Sequence, residues 1–293
     1  MDLLDKLVRT GSSYMTMKHR VAIVKRYNMW RHGDLFRRRQ QALQHCELPS
    51  SVDMDDGYAV DDSMGLPFLS EMLADADAII AENRSPPPRA KDYLINHLTD
   101  DDLIKRASFL NFACSEAMSG IASRYLGLVP VLSTVELWRS GIHTGSDVGS
   151  QLLHLDNADD KQVKVFVNLH DIDLNCGPFA FFPADLSRRI CESVDYGQVR
   201  GVERLTDEQA YAVATPRDLI NCTGRKGTVF FVDTISCLHY GSRGNTRPRY
   251  VLMCQYLSPC RADFRGQSIA RLARDGDASL RKYLLNPDYV GPL

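Results

Sequence analysis

Two histidines and an aspartate, His154, Asp156 and His239, have the types and spacing to hold a divalent iron. Residues two apart on a β-strand share a face, so His154 and Asp156 of the tripeptide His154-Leu155-Asp156 can grip one metal from adjacent positions. His239 completes a triangle of two imidazole nitrogens and one carboxylate oxygen. That set suits non-haem Fe(II) and leaves coordination positions open for other molecules. Arg249 lies past the Gly244-Asn245 turn, on a β-type segment expected to return to the same cavity from the neighbouring strand. Its planar guanidinium would fork onto an organic carboxylate. Arg243 and Arg247 are rivals for that role, although Pro248, which cannot donate to a ladder, separates Arg247 from the strand.

Spacing alone does not select these residues. His32-Gly33-Asp34 and His45-Cys46-Glu47 repeat the pattern, but in a stretch that reads as helix, where residues two apart diverge and cannot share a metal. His154 instead precedes a turn over 157–160 and the β-like run Val163-Lys164-Val165-Phe166-Val167-Asn168-Leu169. The bland reading of His239 is a core histidine among Phe230, Phe231, Val232 and Leu238, and the paired tripeptide weighs against it. His170-Asp171-Ile172-Asp173 puts its acids one and three residues past the histidine, so it reads as a strand-to-turn boundary.

The elements that must position these groups change character near Pro130. Before it come helical patterns over 15–44, 69–82, 91–98 and 99–126, the last capped by Thr99 with Asp100, Asp101 and Asp102 in its first turn. An acidic segment, 53–62, and the Ser85-Pro86-Pro87-Pro88 break read as surface connections, the first as a solvated loop or a lid. Counting from Gly57 as the sixth position, Val52 and Met54 fall where an EF-hand needs oxygen ligands. Arg37-Arg38-Arg39 reads as a wet helix face. After Pro130, β-type segments at 132–138, 150–155, 163–169, 179–182, 228–232 and 250–257 alternate with turns, and Thr206-Asp207-Glu208-Gln209 caps one helix among them. The expected organisation is one domain over 1–293: helical support and substrate wall over 1–130, a β core over 131–260, and a helical tail over 261–293.

Composition excludes several classes. With 293 residues, 44% of them hydrophobic and 25% charged, the chain can bury a large core, and a net charge of −2 gives no reason to expect nucleic acid. Eight cysteines form no CxxC pair and sit mostly in apolar stretches, as reduced core thiols do. No apolar run approaches the roughly 20 residues of a membrane span, and the first residues lack a signal-peptide core. A cytoplasmic protein without a membrane partner is expected.

The segment 132–257 resembles the phytanoyl-CoA dioxygenase-like branch of the Fe(II)/2-oxoglutarate-dependent oxygenases. Three blocks carry the resemblance: HLD at 154–156, VKVFVNLHDIDLNCGPFAFFP at 163–183, and GTVFFVDTISCLHYGSRGNTRPR at 227–249. It implies a mainly β fold with α, a double-stranded β-helix (jelly roll, cupin-like) backed by N-terminal helices. It also implies His154, Asp156 and His239 as Fe(II) ligands, Arg249 as the anchor for the distal carboxylate of 2-oxoglutarate, and O2 as second co-substrate. Where relatives carry Pro-Gly-Ser-His this chain has Pro183-Ala184-Asp185-Leu186, and Gly241 precedes Ser242 where a serine is usual. Ser242, Gln151 and Asn168 are therefore alternative second contacts to 2-oxoglutarate. A carboxylate at 156, where related halogenases carry a small residue, implies hydroxylation, desaturation or ring formation on a small-molecule substrate, free or carrier-linked. The 141–149 connection, with His143, is expected to help build its lid. Two other classes are a cupin-like iron enzyme independent of 2-oxoglutarate and a non-catalytic β-sandwich binding protein.

Overall fold

The computed structural model describes residues 3–12, 14–83, 94–142, 147–198, 203–260 and 268–293. In chain order its helices are α1 (Leu3–Ser12), α2 (Met17–Gln44), α3 (Leu69–Ala81), α4 (Asp100–Lys105), α5 (Ser108–Ala113), α6 (Glu116–Leu126), α7 (Ala184–Ser193), α8 (Asp207–Tyr211) and α9 (Ser279–Leu285). Its strands are β1 (Tyr58–Asp61), β2 (Ile95–Asn96), β3 (Val131–Ser140), β4 (Val163–Asn168), β5 (Ala180–Phe181), β6 (Ile220–Asn221), β7 (Val229–Val232), β8 (His239–Tyr240) and β9 (Arg249–Leu257). They form two antiparallel sheets, a large one ordered β1-β7-β4-β9-β3-β2 and a small one ordered β6-β5-β8. Bridges from His154 to His239 and from Leu153 to Leu205 widen the small sheet beyond β8. No helix among the described residues is long and apolar enough to cross a membrane.

Strand alternation builds the two layers of core. On β4, Val163, Val165 and Val167 join Val229 and Phe231 of β7 and Leu252, Cys254 and Tyr256 of β9 against α3, α5 and α6, where Met72, Ile79, Phe109, Phe112, Met118 and Ile121 are buried. The intervening residues point the other way. Phe166, Phe230 and Val232 meet Phe179 and Phe181 beside and on β5, with the Phe166 and Phe179 rings stacked at 4.3 Å. The large sheet thus has a helix-covered outer face and an inner face turned to the small sheet.

Several elements differ from the sequence reading. The helix expected over 99–126 is three. Thr99 and Asp102 form the reciprocal cap of α4, but the chain leaves helical geometry at Arg106, and Ser115, extended at φ −64 and ψ 153, starts α6 by accepting from the Met118 amide. Ser115-Glu116 is a second cap signal inside the apolar stripe, and breaking there lets both Phe112 and Met118 reach the sheet. Of the helix expected over 91–98, residues 91–93 lie outside the described residues, and Ile95–Asn96 is strand β2 on Arg139 and Trp138. The Ser85-to-Pro88 break, and 143–146 of the lid connection with His143, also lie outside them. The acidic segment 53–62 is not a free loop: β1 pairs with β7, and Tyr58 packs edge-on against Phe181 at 5.2 Å. The stretch 150–155 is a 3-10 turn over Gly149–Gln151 followed by the bridges at Leu153 and His154, not a continuous strand. Helix α7, which begins within the divergent Pro183-to-Leu186 stretch, had no counterpart in the reading, whereas Thr206 caps α8 as expected.

Arg39 overturns the wet-face reading of its triplet. Its side chain is 0% exposed and donates to five backbone carbonyls, those of Val129, Pro130, Tyr283, Asn286 and Pro287, at 2.7 to 3.2 Å. Burial pushes the guanidinium down to about 9, against the pull of Tyr283 and Asp288. Each hydrogen bond to a buried charge contributes about 1.5–3 kcal/mol, and the carbonyls it leaves behind stay desolvated. Arg39→Met is therefore expected to lower the unfolding free energy by about 3 kcal/mol or more in urea titration, while exposed Arg38→Met stays within about 0.5 kcal/mol. Equal losses would return Arg39 to the surface.

Candidate metal centre

His154, Asp156 and His239 come together, with one ligand atom from each lying within 4.8 Å of the others. The backbone sets this. His154 and His239 exchange amide-to-carbonyl hydrogen bonds of 2.8 and 3.0 Å, so their rings sit side by side with centroids 4.3 Å apart. The Asp156 amide donates to the Thr234 carbonyl at 2.8 Å, which holds the carboxylate beside them. Each ring has Nδ1 within hydrogen-bond reach of a carbonyl two residues upstream, Leu152 at 2.8 Å for His154 and Cys237 at 2.9 Å for His239. Nδ1 must carry the proton in such a bond, so Nε2 keeps its lone pair for a metal.

The aspartate is held as firmly. Its Oδ2 accepts from Gln162 Nε2 at 2.8 Å, Lys164 Nζ at 2.7 Å and Thr234 Oγ1 at 2.5 Å, which leaves Oδ1, 4.0 Å from His154 Nε2, to coordinate. Gln162 is oriented in turn by Gln255, whose Nε2 donates to its Oε1 at 2.6 Å. Burial lowers His239 to about 3, assisted by His154, and burial also lowers His154, so both rings are neutral, the ligating form. Burial alone would raise Asp156. The Lys164 ammonium and the hydrogen bonds from Lys164 and Thr234 outweigh it and hold the carboxyl well below the usual range.

Arg249 opens β9 on its inner face, the face that also carries Val251, Met253 and Gln255. It therefore belongs to the sheet facing β8, not to the strand beside it as expected. The side chain is 4% exposed, and Nη2 donates to Ser140 Oγ at 3.3 Å while Nε and Nη1 are buried with no hydrogen-bond partner. No acid among the described residues pairs with it. Burial lowers it to about 10, opposed by the adjacent Cys222 and Cys176 thiols. Cys222 belongs to the apolar cluster of Phe179, whose ring lies 5.2 Å from that of His239, so one packed layer joins arginine and metal ligands. The rivals are spoken for: Arg243 pairs with Asp207 at 2.8 Å over the Tyr240 ring, and exposed Arg247 pairs with Asp173. Two unpartnered donors of a buried guanidinium on one sheet and a three-ligand cluster beside the other fit a molecule that chelates a metal at one end and carries a carboxylate at the other.

The other expected site residues divide. Ser242 Oγ and Asn168 Oδ1 are buried without a hydrogen-bond partner, and Asn168 Nδ2 reaches only the Gly224 carbonyl at 3.5 Å. Gln151 is committed to backbone at both ends, accepting from Val148 N at 3.2 Å and donating to Ser242 O at 2.9 Å, so it braces the loop under Ser242. Gly177 shapes the same corner: its φ is +58, and a Cβ there would lie 2.7 Å from Arg243 O and 2.9 Å from Ser242 Oγ. The decoys stay outside the cluster. His32 lies within α2, and His45 caps it with Nδ1 2.7 Å from Gln41 O. Sequence reasoning missed Gln162, Lys164, Thr234 and Gln255. The one usable signal was a lysine in an otherwise apolar strand, at a position whose parity points away from the helices.

No family model and no curated protein matches the chain. Among solved structures it is similar to EctD from S. alaskensis with 2-oxoglutarate and 5-hydroxyectoine, at 17% identity and a TM-score of 0.52 over 77% of this chain and 83% of that one. AviO1 from Streptomyces viridochromogenes Tue57 follows at 16% identity and a TM-score of 0.48, over 73% of this chain and 97% of that one. The epimerase SnoN in complex with Fe3+, alpha ketoglutarate and nogalamycin RO has 16% identity and a TM-score of 0.43, over 69% and 79%. At these identities the likeness to EctD speaks for the fold.

Proposed function

We propose that the chain is an Fe(II)/2-oxoglutarate-dependent oxygenase of the phytanoyl-CoA dioxygenase-like type, oxidising an unactivated C–H bond of a small molecule, free or carrier-linked. The observation that carries this is Arg249, a buried guanidinium with two unpartnered donors on the inner face of the large sheet, together with the His154, Asp156 and His239 cluster beside the small sheet that faces it. The strand orders support a double-stranded β-helix, with β3-β9-β4-β7 facing the bridge at His154, then β8-β5-β6. We place that core at 131–260 of a single domain, with 1–130 and 261–293 as its support.

Bound at the cluster, Fe(II) would supply activation of O2 coupled to decarboxylation of 2-oxoglutarate to succinate. His154 and His239 would hold it through Nε2 and Asp156 through Oδ1, while Gln162, Lys164 and Thr234 keep Oδ2 from turning inward. Arg249 would receive the distal carboxylate of 2-oxoglutarate. Ser242 and Asn168 remain as second contacts because their buried oxygens have no partner, whereas Gln151 has both ends engaged. Phe179 and Phe230, both buried, line the layer between the sheets and exclude water from the reacting C–H bond. A carboxylate at 156 fills the position a halide would need, which supports hydroxylation, desaturation or ring formation.

The test is anaerobic loading with Fe(II) and 2-oxoglutarate. A metal-to-ligand charge-transfer band, followed by succinate on admitting air, is the expected result. Iron binding without the band would favour an iron enzyme that dispenses with 2-oxoglutarate, and no iron binding would leave a β-sandwich binding protein.

A further inference from the structure

Glu136 is the charged group of the inner face that the chemistry above leaves unused. It lies on β3 opposite Met253 of β9, and parity places it on the face of Gln255, the residue that reaches Asp156 through Gln162. Phe166 of β4 stands opposite Met253 from the other side, so carboxylate and aromatic ring flank one methionine. Trp138, two residues along β3, faces the same way. Glu136, Trp138 and Phe166 are each part-exposed while their strand neighbours Val135, Leu137, Val165 and Val167 are buried, so this part of the inner face opens to solvent.

The other charges of the cavity have partners or assignments. Lys164 is held by Asp156 at 2.7 Å, and Arg249 stands ready for a carboxylate. No ion pair reaches Glu136 among the described residues. Burial raises its carboxyl above the ordinary value, against the pull of the Trp138 side chain and of Lys164. A part-desolvated carboxylate whose nearest ammonium, Lys164, is already engaged by Asp156 is unfavourable unless a ligand brings a counter-charge of its own. The Trp138 side chain hydrogen-bonds the carboxylate and so holds it in place on the inner face.

We propose that Glu136, with Trp138 beside it, binds a cationic nitrogen group (ammonium, amidinium or guanidinium) of the substrate and so makes this site selective for positively charged small molecules. The inference rests on the oxygenase reading for the word substrate, but the site itself is read from β3 and its neighbours β9 and β4. Glu136 binds the cation and thereby fixes which C–H bond of the molecule faces the metal ligands.

The chain has two tryptophans, and Trp30 is 74% exposed on α2, so Trp30→Phe leaves Trp138 as the sole indole reporter without touching the site. In that protein, charged anaerobically with Fe(II) and 2-oxoglutarate, hexylammonium should change Trp138 fluorescence saturably. Its Kd should be at least tenfold below those of 1-hexanol and hexanoate, a difference of about 1.4 kcal/mol. Adding Glu136→Gln should equalise hexylammonium and 1-hexanol, and Glu136→Asp should keep part of the preference. If 1-hexanol or hexanoate binds the parent as tightly as hexylammonium, or the preference survives Glu136→Gln, the proposal is overturned; the parent titration suffices even should Glu136→Gln fail to fold. The same titrations on protein without added iron separate the two readings. A charge-transfer band without cation preference sinks the cation site and leaves the oxygenase, and cation preference without a band does the reverse.

Discussion

His239→Ala should bind Fe(II) more than about 100-fold more weakly than the parent and show no turnover. Loss of a supporting partner behind a metal ligand typically costs 10–100-fold in affinity, and a direct ligand exceeds that. The three ligand atoms lie within 4.8 Å of one another, so two survivors cannot close the coordination face. His154→Ala and Asp156→Ala should behave alike. His32→Ala and His45→Ala, which share the His-x-acid spacing but lie within and at the end of α2, should bind iron as the parent does. Anaerobic equilibrium dialysis of Fe(II) reads all five. Parental affinity in His239→Ala would remove it from the site.

Arg249→Ala should raise the Kd for 2-oxoglutarate at least about a hundredfold with little change in iron affinity. Removing one partner of a buried charge pair costs about 3–5 kcal/mol, and roughly 1.4 kcal/mol is tenfold. Its own hydrogen bond is a single 3.3 Å contact to Ser140, so the guanidinium has donors free for the carboxylate. Arg247→Ala gives up an exposed pair with Asp173, and Arg243→Ala one with Asp207, so both should shift the same titration far less. The readout is the charge-transfer band of the Fe(II) protein. A parental curve for Arg249→Ala would move the carboxylate anchor elsewhere on the inner face.

The candidate metal cluster was legible because two of its residues sit in one tripeptide and the third lies in a β-type context. β4 was legible from its alternating valines, and α8 from its cap. What holds Asp156 was not. Thr234 lies 78 residues from it, and Gln255 orients Gln162 across 93 residues. Such pairs follow from which strands become neighbours, and local pattern carries no trace of that. Lys164 was visible as a charge among apolar residues, yet its partner could be named only after β4 and the bridge at His154 were placed. Arg39 failed for the same reason in reverse: a local run of arginines suggests a solvated face, and its five carbonyl partners lie 90 to 248 residues away. The segment 53–62 hid β1 because acidic residues flank a four-residue strand that only the edge of β7 could reveal.

The wide spread of Arg39's partners also orders the protein's synthesis. Val129 and Pro130 follow Arg39 by 90 and 91 residues, but the Tyr283, Asn286 and Pro287 carbonyls follow it only after 244 to 248. Until then a guanidinium destined for the interior must stay hydrated, and α2 cannot settle against the start of β3. His154, Asp156, His239 and Arg249 have all been made before that moment. The nascent chain can thus assemble its β layers while its first long helix is still provisional, and the late arrival of residues 283–287 locks the two together.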